Sequence, residues 1–116
     1  MAEINPIISA VTEELSKSTQ DVLGDRLRKI ILYGSYARGD YKEYSDLDIM
    51  VLADYNEAEK SELEAKMCVI ASRASLEHDI TVSVYLNNES LFTSRLHISP
   101  FYRNVLSEGV EIFGTR

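Results

Sequence analysis

The chain has 116 residues, 45% of them hydrophobic and 27% charged, the balance of one globular domain with a single core spanning residues 1–116. A net charge of −7, from 19 acidic and 12 basic residues, counts against direct nucleic-acid binding, which needs clustered Lys and Arg to neutralise phosphates. No apolar run approaches the roughly 20 residues that span a bilayer, and Met1–Ser9 lacks the basic flank and apolar core of a signal peptide. A cytoplasmic protein without membrane contact is expected.

Asn5-Pro6 reads as a helix cap followed by a first helical position. Ile8, Val11 and Leu15 recur at helical spacing, so a helix is predicted to about Leu23, stopped by Gly24. Leu27 to Tyr33 reads as a strand, and its unbroken Ile30-Ile31-Leu32 run suggests cover on both faces. Ser35 to Gly39 can form one or two helical turns, and Tyr41 to Ser45 is a polar connection. Asp46 to Leu52 is the second strand. Only about a dozen residues separate the two strands, too few for a full helical crossover, so they are expected to be antiparallel neighbours.

A long helix is predicted over Glu57 to Leu76, with Leu63, Met67, Ile70 and Ala74 as its apolar stripe, widened by Ala71. Glu62 and Lys66 can pair on its wet side. Cys68, the single cysteine, is expected to be a buried packing thiol. Asp79 to Leu86 is the third predicted strand, with Ile80, Val82 and Val84 on one face and Asp79, Thr81, Ser83 and Tyr85 on the other. A helix over Glu89 to Arg95 would turn Leu91 and Phe92 inward. Another starts at Ser99-Pro100 and buries Phe101 and Val105, Gly109 lies past its end, and Val110 to Phe113 can add an edge strand. The pattern is that of an α/β or α+β domain, a small sheet backed by helices. His78 and His97 have no Cys or His partner at metal-ligand spacing, and no zinc site is expected.

The chemistry concentrates in Gly34–Leu52, GSYARGDYKEYSDLDIMVL. Ten residues separate Ser35 from Asp46. Alternation along a strand sends Asp46 and Asp48 to one face, where two carboxylates repel and one tends to hold a proton. A hard divalent cation such as Mg²⁺ removes that conflict. The Gly34-Ser35 pair supplies what the cation needs opposite it, since glycine lets backbone approach an anion and N–H groups at a helix start attract phosphate. Singly, Asp-x-Asp is more often a solvated strand end, and Gly-Ser just a turn. Together, strand, Gly-Ser, ten residues, Asp-x-Asp and strand point to phosphoryl or nucleotidyl transfer. The G-x-G-x-x-G and G-K-[ST] spacings of dinucleotide and P-loop sites are absent.

This stretch resembles the signature of the DNA polymerase beta-like nucleotidyltransferase superfamily, and most closely its minimal members, the MntA-type antitoxins paired with HEPN-domain toxins. The resemblance implies the nucleotidyltransferase fold, a mixed sheet with the site on one open face. It implies Mg²⁺ at Asp46 and Asp48, with a third carboxylate on the strand after the long helix. Asp79 is the acid there and Glu77 the nearest substitute. Gly34 and Ser35 would bind the terminal phosphates of ATP. Arg38 and Lys42 are the nearest basic residues, equally able to form exposed salt bridges. Tyr33 and Tyr36 could flank a base, although packing suits Tyr33 better.

The implied reaction is transfer of AMP from ATP to a hydroxyl, specifically a tyrosine on a HEPN-type toxin, this chain being the antitoxin. One small domain has little surface for an acceptor, so a partner chain or a second copy would complete the cleft. The alternatives are an antitoxin that binds nucleotide and acts by occlusion, and transfer to a small molecule as in antibiotic-modifying relatives.

Overall fold

In a computed structural model, described here for residues 5–114, the elements run in the order helix, strand, helix, strand, helix, strand, two helices, strand. Helix α1 spans Pro6–Leu23, with Asn5 capping the backbone N–H of Ile7. Strand β1 is Leu27–Tyr33, α2 the short Ser35–Arg38, and β2 Leu47–Ala53. Helix α3 covers Lys60–His78 after a 3-10 turn at Glu57–Glu59, whose Asn56 and Glu59 form a reciprocal capping box. Strand β3 is Val82–Asn88, followed by α4 at Glu89–Ser94, α5 at Pro100–Glu108 and β4 at Val110–Gly114.

The four strands form one mixed sheet in the order β3-β2-β1-β4. β1 and β2 pair antiparallel, as their short connection requires, with Tyr33 opposite Asp48. β2 and β3 pair parallel through α3, with Asp48 opposite Ser83.

Alternation along the strands splits the interior in two. On one face Leu32, Leu47, Ile49 and Val51 pack with Leu15 of α1 and Met67 of α3 in the larger core. On the other, Ile31, Tyr33, Met50 and Leu52 meet Phe92 of α4 and Val105 of α5 in a smaller one. That second face is therefore half covered, and its open part is the end carrying Tyr33 and Asp48.

Several sequence expectations change. Cys68 is exposed: position 68 lies outside the Leu63, Met67, Ala71, Ala74 stripe that α3 buries. Leu91 and Phe101 stay half exposed, at 50% and 48%, while Phe92 and Val105 are the buried residues beneath the two short helices, with Leu96 and Tyr102 packed beside them. The third strand starts at Val82, not Asp79, because α3 runs two residues beyond Leu76.

Candidate active site

The turn from β1 into α2 sets the geometry. Gly34 adopts φ +78°, a left-handed conformation natural to glycine. A Cβ there would run into Asp48 Oδ2, so the missing side chain lets the carboxylate lie directly against the turn. The backbone N–H groups of Ala37 and Arg38 both donate to Gly34 O at 3.1 Å, closing the single turn of α2.

Asp48 sits in the middle of this arrangement. Burial pushes its carboxyl above the ordinary range, the charge of Asp46 pushes the same way, and Arg38 opposes them. Asp46 is exposed, one residue ahead of β2. Asp48 is thus half buried beside an anion-friendly turn, with the charge of Asp46 close to it. This donor set fits a hard divalent cation such as Mg²⁺, which would relieve both the burial and the repulsion.

A cavity of about 360 Å³ opens here, lined by Gly34, Ser35, Arg38, Asp48, Phe101 and Glu108 among others. Arg38 Nε lies 3.2 Å from Asp40 Oδ2 and its Nη1 3.4 Å from Glu108 Oε2. Its guanidinium therefore rests on acids at the cavity mouth. Tyr33 packs edge-on against Phe101 with ring centroids 5.7 Å apart, and burial, then Asp48, pushes its phenol up. Tyr36 stacks on Tyr41 at 4.3 Å, outside the cavity lining. Lys42 is exposed in the connection, where its backbone N–H donates to Ser45 Oγ, and it does not line the cavity.

Asp79 is placed differently from the expectation. It is the C-cap of α3, exposed, at φ 53° and ψ 45°. Its N–H donates to Ser75 O, ending the helix. Asp46, Asp48 and Asp79 are not a group whose ligand atoms lie within 4.8 Å of one another; among the described residues, only Glu14, Glu77 and His78 are. The residue that β3 presents beside Asp48 is Ser83.

The Glu14 group is a clasp between α1 and α3. His78 Nε2 lies 2.6 Å from Glu14 Oε2. A hydrogen bond between the two carboxyls holds Glu14 low and pushes Glu77 up, as when two carboxylates share one proton. Sequence spacing concealed this partner of His78, which is 64 residues away. Phe101, Asn104 and Glu108 were also missed as cavity residues. They follow the Ser99-Pro100 helix start but carry no motif of their own.

With this geometry in view, comparison with known proteins is decisive. A model of the nucleotidyltransferase domain family matches residues 12–110. The chain belongs to that family. This nucleotidyltransferase is 37% identical over 105 residues to a Methanocaldococcus jannaschii protein, covering 90% of the chain and 98% of the relative. The relative's name assigns it provisionally to the protein adenylyltransferases. A second protein of that organism, named in the same way, is 39% identical over 84 residues, or 72% of this chain and 76% of its own.

Among solved structures, a chain from a toxin–antitoxin complex with AMP-PNP aligns with a TM-score of 0.56 at 22% identity, over 90% of this nucleotidyltransferase and 74% of that chain. A chain from a complex of tri-AMPylated Shewanella oneidensis HEPN toxin with MNT antitoxin aligns at 0.52 and 21%, over 92% and 72%. At these identities the likeness is one of fold. No helix among the described residues is long and apolar enough to cross a membrane.

Proposed function

We propose that this nucleotidyltransferase moves AMP from ATP to a protein hydroxyl, a tyrosine of a HEPN-type toxin, and serves as the antitoxin of that pair in the cytoplasm. The observation that carries the reading is the Asp48 carboxylate lying against Gly34 in the same cavity as Ser35 and Arg38. The names of the Methanocaldococcus relatives support a protein acceptor. The AMP-PNP and the AMPylated toxin belong to the structural neighbours and suggest which donor and acceptor to test.

Gly34 would let the triphosphate approach the backbone, and the Ser35 hydroxyl would hydrogen-bond its terminal phosphates. Arg38 would leave Glu108 for the phosphates, an exchange made easy by the weakness of exposed ion pairs. Asp46 and Asp48 would hold Mg²⁺, which when bound neutralises phosphate charge. The acceptor oxygen would then replace pyrophosphate at the α-phosphorus, releasing its proton. Asp79 is not carried forward as a third ligand, because its carboxylate does not group with those of Asp46 and Asp48 within 4.8 Å.

The absence of a third grouped carboxylate among the described residues supports a second reading, binding of nucleotide and neutralisation of the toxin by occlusion. Ser83 beside Asp48 offers a hydroxyl where a third carboxylate would complete a two-cation site. Incubation with ATP labelled at the α-phosphate, Mg²⁺ and a HEPN-domain protein as candidate acceptor separates the two. Label on a tyrosine of the partner supports transfer. A stable complex with bound nucleotide and no label would leave occlusion.

A further inference from the structure

The sheet has two edges of opposite character. β4 is irregular against β1, with a register shift between Ile30 and Ile31, and carries Glu111 paired to Lys29 at 3.6 Å. Bulges and charges are the usual devices that stop a strand edge from pairing with another chain. β3 has neither. Its seven residues, VSVYLNN, pair with β2 in one unbroken register and include no charge and no proline.

The ladder fixes which groups of β3 are free. Leu47 N–H donates to Thr81 O at 2.8 Å, and Leu47 is paired with Val82. In a parallel ladder of this phase, Ser83, Tyr85 and Asn87 bond to β2, while Val82, Val84 and Leu86 direct their N–H and C=O groups to the outer edge. Val82 N–H is satisfied by Ser75 Oγ at 3.0 Å. No hydrogen bond among the described residues engages the outward groups of Val84 and Leu86.

A cavity of about 630 Å³ straddles this edge. Its walls include Tyr55 and Lys60 on one side of the sheet and Arg95, Phe101 and Tyr102 on the other, with Tyr85 between them. Phe101 also lines the Asp48 cavity, so the two hollows share that ring as a common wall.

We propose that the protein acceptor docks as an extended fifth strand on the outer edge of β3, bonded to Val84 and Leu86, and presents its hydroxyl to Asp48 across Ser83. This rests on the protein-acceptor reading above. Alternate side chains of the added strand would enter the aromatic hollow, as in other strand-addition interfaces. The residue opposite Ser83 would face the side that carries Asp48, two strand spacings or about 9–10 Å away. The small Ser83 side chain leaves that crossing clear for a long acceptor such as tyrosine. Occupation by an unlike chain also accounts for an edge left without protection.

Amide hydrogen exchange on the full chain tests this, with the HEPN-domain partner and a non-hydrolysable ATP analogue. Alone, Val84 and Leu86 should exchange fast between slow Ser83, Tyr85 and Asn87. With the partner, both should slow by about tenfold or more, as for any newly bonded strand amide. Val84→Pro removes one outward donor at a position where an edge strand tolerates proline. It should raise the acceptor KM by up to about tenfold and leave affinity for the ATP analogue within about twofold. Transfer of AMP to the partner with both amides still exchanging fast would overturn the docking and leave the function standing. Protection that grows with this chain's own concentration would assign the edge to a second copy and overturn it as well. Neither binding nor transfer would sink the protein-acceptor reading and this inference with it.

Discussion

The two faces of β2 do different work with the same seven residues, Leu47–Ala53. One face, Leu47, Ile49 and Val51, is sealed beneath α1 and α3. The other begins with Asp48 at the cavity and becomes core only at Met50 and Leu52, beneath Phe92 and Val105. Strand alternation therefore separates the sealed core from the candidate site within one element. The sealed face can be altered at the expense of folding alone, whereas the half-open face couples packing to the site.

The largest effects should come from the cores. Leu32→Ala, on the sealed face and fully buried, should lower unfolding free energy by about 2–5 kcal/mol. AMP transfer per folded molecule should be unchanged. Phe92→Ala should destabilise by about 3–5 kcal/mol and also reduce transfer, since its ring supports Met50 and stacks on Tyr102 at 4.6 Å. Urea unfolding beside a transfer assay checks both. Equal transfer by the two variants would dissolve the distinction between the faces.

Gly34→Ala sharpens the comparison at the site itself. Its φ of +78° with ψ of −157° makes alanine costly by about 1–3 kcal/mol, and the new methyl would displace the Asp48 carboxylate. Calorimetry should find affinity for Mg²⁺ with an ATP analogue reduced by about tenfold or more, with only a modest fall in melting midpoint. Chelating the cation with EDTA should abolish transfer.

The smallest effect is a pH dependence. Asp48 binds its proton more tightly in the folded state than in the unfolded one, through burial and then Asp46. Its contribution to stability is therefore present below the unfolded value and lost as pH rises from there through the raised folded value. Without divalent cations, the melting midpoint of the natural chain should fall relative to that of Asp48→Asn as pH rises from about 4. Added Mg²⁺ should cancel the difference at pH 7. A difference that does not move with pH would remove the electrostatic part of the account.

Much of this fold was legible because its signals are local. Asn5-Pro6 and Gly24 bracket α1, and Leu27–Tyr33 matches β1 residue for residue. The antiparallel pairing followed from a connection too short for a crossover. Gly34, Ser35 and Asp48, named from spacing, and Arg38, named as a nearby basic residue, line one cavity, whereas Asp46 and Lys42 do not.

What stayed hidden depends on three dimensions. Whether Asp79 lies on a strand or caps a helix turns on where α3 stops, and apolar periodicity fades before that point. Cys68 looked buried because its neighbours are apolar, yet Val69 beside it is also 56% exposed. Glu108 reaches the cavity from the far end of α5, and Ser83 meets Asp48 only through a register that no single strand reveals.

The central claim is that Asp48 serves chemistry on a sheet whose stability is held elsewhere. The most direct measurement is the rate of AMP transfer from α-labelled ATP by the natural chain and by Asp48→Asn, each with its melting midpoint. The substitution should slow transfer by about two to three orders of magnitude while the protein melts no lower than the natural chain. Undiminished transfer by a folded Asp48→Asn protein would contradict the account.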